Sequence, residues 1–158
     1  MKTYFVASAL ALLAAWAGPA CAQKLIPAQS EISFTSKQMG APMEGKFKKF
    51  DAQIGFDPKK PEAGSIAFSI DLSSVQIGDA DTLAELAKPG WFDSKRMPQA
   101  TFQSSGIKAA GPGKFDIAGK LNIKGNARDV TVPVTLTQTA GTTLATGGFV
   151  IKRLEFKI

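Results

Sequence analysis

Apolar and polar residues alternate with period two along much of the chain, which is the spacing of strands with one buried face. Ser65 to Ser73 sets Ile66, Phe68, Ile70 and Leu72 against Ala67, Ser69, Asp71 and Ser73. Lys114 to Lys124 sets Phe115, Ile117, Leu121 and Ile123 inward, with Gly119 in the fifth inward slot, where a bulge or sharp bend is expected. Asp129 to Thr137 repeats the pattern with Val130, Val132, Val134 and Leu136 inward. Pro133 falls on its outward face and cannot donate to a ladder, so local irregularity is expected there. Glu31 to Lys37 predicts a first strand, with Ile32 and Phe34 on one face and Ser33 and Thr35 on the other. Lys46 to Phe56 predicts a second strand. Its apolar set changes parity between Phe47 and Phe50, as a β-bulge would make it do. Ala100 to Ser105 predicts a short strand around Phe102, and Gly147 to Ile158 a last one that Lys152 interrupts.

Turn signals separate these runs: Asp57-Pro58-Lys59-Lys60-Pro61, Gly111-Pro112-Gly113, Lys124-Gly125-Asn126 and Ala140-Gly141. One segment departs from the pattern. Asp79 to Lys88 predicts a short helix capped by Asp79 or Asp81, with Leu83 and Leu86 on one face. Pro89 and Gly90 stop it, and Trp91-Phe92-Asp93 follows. Several short strands with one helical insert predict an all-β, antiparallel barrel or sandwich. No internal repeat or low-complexity tract interrupts the chain.

The N-terminus changes the picture of where this domain works. Lys2 precedes an apolar run from Tyr4 to Trp16, and Gly18-Pro19 break it before Ala20-Cys21-Ala22. That is the layout of a secretory signal, with cleavage expected after Ala22. The run is too short to span a bilayer, which takes about 20 apolar residues. Lipoprotein signals usually carry Leu three residues before the Cys, and here Gly18 stands there, which argues against acylation of Cys21. The expected organisation is a signal peptide over 1–22 and one domain over 23–158, with the product periplasmic.

Composition then narrows the chemistry. The single Cys is Cys21 and there is no His at all. The exported part has no disulfide, thiolate ligand or Cys nucleophile. It also lacks imidazole bases, His-held metals and Ser-His-Asp triads. Of the chain's formal charge of +6, Lys2 carries one, so residues 23–158 carry +5. The cations are spread along the chain, and their densest cluster is Lys46, Lys48 and Lys49. That arrangement fits solvated strand faces, or transient contact with an anionic membrane surface. No nucleic-acid-binding motif accompanies it. Asp57, Asp71, Asp93 and Asp116 are the candidate acid–base groups. A carboxylate pair must converge across a cleft to work, yet Asp71 and Asp116 face outward and Asp57 and Asp93 sit in turns. Ser73-Ser74 and Ser104-Ser105 lack a base partner. A non-enzyme is expected, with no metal and no cofactor.

An ordered set of segments resembles the YceI family of periplasmic, lipocalin-like polyisoprenoid-binding proteins. They are Ser30-Glu31-Ile32-Ser33-Phe34, Gly45-Lys46-Phe47 through Phe56-Asp57-Pro58, and Ser65 to Ser74. They continue with Trp91-Phe92-Asp93, Pro98 to Phe102, Gly119 to Gly125, and Lys152 to Ile158. The resemblance covers 23–158. It implies an eight-stranded, lipocalin-like barrel around a long apolar cavity for an isoprenoid lipid or a quinone tail. Phe34, Met39, Phe47, Phe56, Phe68, Trp91, Phe92 and Phe102 are the expected contacts. Core packing is the ordinary role of an inward Phe in a small barrel; the cavity is implied by the family alone. Met39 and Met43 flank Pro42 in an expected loop at the rim, and Met suits an adaptable apolar entrance. Lys46, Lys48, Lys49 and Arg128 are candidates for a polar or pyrophosphate head group.

Two departures from the family stand out. Many relatives carry a His in the first strand where this chain has Gln29-Ser30. In relatives, a Gly-containing turn and a further strand follow the segment matching Arg153 to Ile158. Ending at Ile158 is expected to leave the barrel incompletely closed, with strand edges prone to self-association. Two other functions stay open. One is an exported interaction module that docks on a partner through a sheet edge; the other is a small hydrolase without His.

Overall fold

The computed structural model describes residues 22–38 and 40–158. Residues 1–21 of the expected signal peptide and Met39 therefore lie outside the described residues. The described residues form ten antiparallel strands and one α-helix: β1 (Ala22–Lys24), β2 (Ile32–Gln38), β3 (Ala41–Phe47), β4 (Phe50–Gly55), β5 (Ser65–Asp71), β6 (Val75–Gln76), α1 (Ala80–Leu86), β7 (Gln99–Gly111), β8 (Lys114–Ile123), β9 (Asn126–Thr139) and β10 (Thr142–Gly147). They form a seven-stranded sheet in the order β1-β4-β5-β7-β8-β9-β10 and a three-stranded sheet in the order β2-β3-β6. The larger sheet curls strongly into a half-barrel. The all-β antiparallel class and the single helix are as expected; the eight strands of one barrel are instead ten, in two sheets.

Local chemistry accounts for the elements. β5, β8 and β9 follow the period-two runs, and pairing alternate residues puts their large apolar side chains on a single face. β8 and β9 are joined by Lys124-Gly125, both with positive φ (53° and 72°), as the tightest hairpin turns require. Ala140-Gly141 does the same between β9 and β10. Asp79 caps α1 by accepting a hydrogen bond from the Thr82 N–H at 2.9 Å.

Four sequence expectations need correcting. The parity shift between Phe47 and Phe50 is a change of sheet, since β3 belongs to the small sheet and β4 to the large one. Lys48 and Lys49 make the crossing, and both of their N–H groups donate to Ser74, at 3.2 and 2.9 Å. The segment around Pro42 and Met43 is strand β3, with Met43 opposite Ser36, and not a loop. The strand around Phe102 runs on to Gly111, past a bulge between Ser104 and Gly106. Finally, Gly147 to Ile158 is no strand: β10 ends at Gly147, and Arg153–Phe156 is a 3-10 turn. The apolar residues of this segment do not share a buried face. Val150 and Leu154 are 90% and 86% exposed, whereas Phe156 is 2% exposed. The irregularity expected at Pro133 shows only on one side. The β8–β9 register runs unshifted through Pro133, while the β9–β10 pairing starts at Val134.

Apolar side chains pack on the concave face in two clusters. One holds Leu72, Ala100, Leu121, Ile123 and Phe156. The other holds Ile66, Ile107, Phe115 and Ile117. They sit toward opposite ends of the strands, and Phe102 touches both.

Candidate functional site

The concave face is built by cross-strand pairing. Ala52 pairs with Phe68, Phe68 with Phe102, Phe102 with Leu121, and Leu121 with Arg128. Directly paired residues share a face, so this row crosses five strands on the inner side. The next inward positions of β9 are Val130, Val132, Val134 and Leu136, all half-buried. Val130 packs on the first cluster, and Val134 and Leu136 on the second. Val132 lies opposite Ile117.

Two glycines make room for rings. A Cβ at Gly119 would lie 2.4 Å from Phe102 Cζ and 2.6 Å from the Gln103 carbonyl oxygen. A Cβ at Gly45 would lie 2.5 Å from Phe34 Cζ. Each Phe thus lies against the backbone of the adjacent strand, a close approach that only Gly permits. Gly119 also faces Ser104, where the β7 bulge begins. There the Ile66 N–H donates to Ser104 Oγ at 2.8 Å, just past the last β5–β7 backbone pair.

The residues expected to contact a guest divide into two groups. Phe34 stacks against Phe47 with centroids 5.4 Å apart, and Phe47 meets Phe92 edge-on at 6.3 Å. Phe47 and Phe92 pack on the first cluster. Phe56 and Phe68 belong with the second, where Phe56 meets Phe115 edge-on at 5.0 Å. Trp91 is half-buried beneath Arg153, whose guanidinium carbon lies 5.3 Å above the ring. Lys124 ties this end together through the Pro89 and Lys157 carbonyls, and Asn126 donates to the Phe156 carbonyl at 3.2 Å. The aliphatic row on β9 was absent from the expected contact set, although its alternation had already placed it inward.

Two grooves open on the surface. One, of about 310 Å³, runs beside β9 and is lined by Arg128, Val130, Phe149, Ile151, Lys152 and Phe156 among others. The other, of about 200 Å³, lies among Pro27, Glu31, Lys46, Phe47 and Lys48. In that second groove Lys46 pairs with Glu31 at 3.7 Å.

The candidate acid–base groups have structural employment. Hydrogen bonds from the Ser73 hydroxyl and N–H hold the Asp71 carboxyl below its usual range, against the opposing effect of burial. The Thr82 N–H does the same for Asp79. Asp57 accepts from the Lys59 N–H at 2.9 Å, and Asp93 is buried with Arg96 at 3.9 Å. Asp116 faces outward between Lys108 and Pro133.

Residues 24–158 match the YceI-like domain family, and the chain belongs to it. Protein YceI of Salmonella arizonae is 34% identical over 106 residues, covering 66% of this chain and 53% of that protein. The chain spans about half the length of the curated relatives it matches. Among solved structures, BcnA of Burkholderia cenocepacia superposes with a TM-score of 0.82 at 47% identity, covering 85% of each chain. A polyisoprenoid binding domain from Saccharophagus degradans, implicated in plant cell wall breakdown, superposes with a TM-score of 0.59. It is 16% identical and covers 78% of this chain and 73% of that one, so the likeness is one of fold.

Proposed function

We propose that this chain is a periplasmic, non-catalytic binding or carrier protein for an apolar isoprenoid lipid or quinone. The observation that carries the reading is the concave face of β9, a row of aliphatic side chains left half-buried beside a packed core. Water on such a face is released when a hydrocarbon covers it, at about 0.8 kcal/mol per buried CH₂. Even eight such groups offset much of the cost of association. Membership of the YceI-like family supports the reading, as does the shared fold with a polyisoprenoid binding domain. Phe34, Phe47, Phe68 and Phe102 are the aromatic contacts we assign to the tail, with Val130, Val132 and Val134 beside them. In this reading residues 1–22 direct export and the domain begins at Gln23. N-terminal sequencing of the osmotic-shock fraction tests that boundary.

The direct test is organic extraction of folded protein from its native host, followed by mass spectrometry. A quinone or polyprenyl species in stoichiometric amount is expected. Its absence, together with no uptake of added quinone, contradicts the carrier reading. One specific observation favours docking on a partner protein through a sheet edge. Among the described residues β10 has no strand on its outer side; Leu144 within it and Val150 and Leu154 after it are exposed. Pull-down with a β10-disrupting variant separates the two.

A further inference from the structure

We propose that Arg128 seats an oxyanion head group at the groove beside β9, so that the preferred guest is an acidic amphiphile. The head would be a carboxylate or a phosphate. This inference rests on the reading of the concave face as an apolar guest site and adds the charge of the guest's head to it.

Register places Arg128 where a cation is unexpected. Its partner is Leu121, a residue of the first packed cluster. The row Ala52–Phe68–Phe102–Leu121 is apolar across four strands and ends at Arg128 on the fifth. Along β9 the same face continues as Val130, Val132 and Val134. The Arg128 stem therefore lies at the end of an apolar row while its guanidinium reaches an open groove, the usual posture of a long cationic side chain. That groove, about 310 Å³, has Val130, Phe149, Val150, Ile151 and Phe156 as apolar lining, Arg128 and Lys152 as its cations, and the carboxylates of Asp129 and Glu155 on its wall as well.

The charge balance leaves Arg128 as the available cation. Asp129 lies 2.9 Å from Lys120, and Glu155 lies 3.7 Å from Lys152. Arg128 makes one side-chain hydrogen bond, from Nη1 to the Ala127 carbonyl at 2.8 Å. Among the described residues no carboxylate forms an ion pair with it. A guanidinium offers five N–H donors in a planar fork, which matches a carboxylate or phosphate with two parallel hydrogen bonds. A neutral alcohol or quinone carbonyl would use one donor and leave the charge unmatched.

Three ligands with one tail separate the head from the rest: farnesol, farnesoic acid and farnesyl monophosphate. Their affinities are measured by calorimetry for the wild type, R128Q, R128K and K108Q. Lys108 stands on the outward face opposite Asp116, so K108Q removes the same charge away from the groove. The wild type is expected to bind the acid or the phosphate roughly fivefold tighter than farnesol, the scale of an exposed ion pair. R128Q should erase that preference by bringing the two acids down to about the affinity of farnesol, with R128K intermediate and K108Q like wild type. The preference should shrink as salt rises. Whichever acidic ligand loses more in R128Q identifies the head as carboxylate or phosphate. Farnesol binding with no preference for either acid, or a preference that survives R128Q, overturns the Arg128 seat and leaves the apolar site standing. Failure of all three ligands to bind overturns both.

Discussion

β8 and β9 are neighbours in one hairpin, paired without a register shift from Lys114–Thr135 to Ile123–Asn126, and both alternate apolar and polar residues. Their inner faces end up in different states. Phe115, Ile117, Leu121 and Ile123 of β8 are buried, whereas Val130, Val132, Val134 and Leu136 of β9 are half-buried. The difference comes from what lies above each strand. β8 is covered by side chains of β5, β7 and the C-terminal turn, with Ile66, Ile107 and Phe156 as the main contributors. β9 has β10 along only its Val134–Thr139 half, and the chain after Gly147 leaves the sheet. Alternation fixes which face is apolar; it does not decide whether that face is filled by the protein itself. In the proposed function, the unfilled half is where a guest is taken up without disturbing the folded core.

Truncation separates the two strands most strongly. Leu121→Ala should cost about 2–5 kcal/mol in urea denaturation, because it opens a cavity in a packed cluster. Val132→Ala, at a half-buried position, should cost about 1 kcal/mol or less. Equal losses at the two sites would mean that β9 is as well packed as β8.

A glycine pair gives the next largest contrast. Gly119→Ala forces a Cβ into the Phe102 ring and the Gln103 carbonyl, and should cost about 1–3 kcal/mol. Gly106→Ala, four residues beyond Phe102 on β7, meets nothing within 4 Å and should be close to neutral. Thermal unfolding of both variants checks this. The smallest effect is expected at the end of the half-barrel. Arg153→Ala removes the cation above Trp91 and should lower stability by about 0.5–1 kcal/mol, with a change in Trp91 fluorescence.

The strands with clean alternation, β5, β8 and β9, were legible in the sequence, as were α1 with its Asp79 cap and the turns at Lys124-Gly125 and Ala140-Gly141. What was not legible has identifiable causes. A β-bulge and a change of sheet leave the same parity shift, so the crossing at Lys48–Lys49 read as one strand. β10, Thr142–Gly147, is Thr-Thr-Leu-Ala-Thr-Gly, with a single large apolar residue and no alternation to read. In Gly147–Ile158, apolar spacing imitated a strand, but Phe156 alone turns into the core as part of a 3-10 turn. For the candidate site, the sequence points mainly to aromatic residues, whose size marks them. The structure adds the smaller β9 aliphatics, and it places Arg128, already a head-group candidate in the sequence, opposite Leu121.

The central claim is that the β9 row is a guest surface and the β8 row is core. Methyl-resolved NMR during titration with a prenyl alcohol tests it most directly. Shifts should concentrate on the methyls of Val130, Val132, Val134 and Leu136, leaving Leu72, Ile107, Ile117 and Ile123 nearly unmoved. Saturable shifts confined to Leu144, Val150 and Leu154, or no shifts at all with the protein folded, would contradict the account.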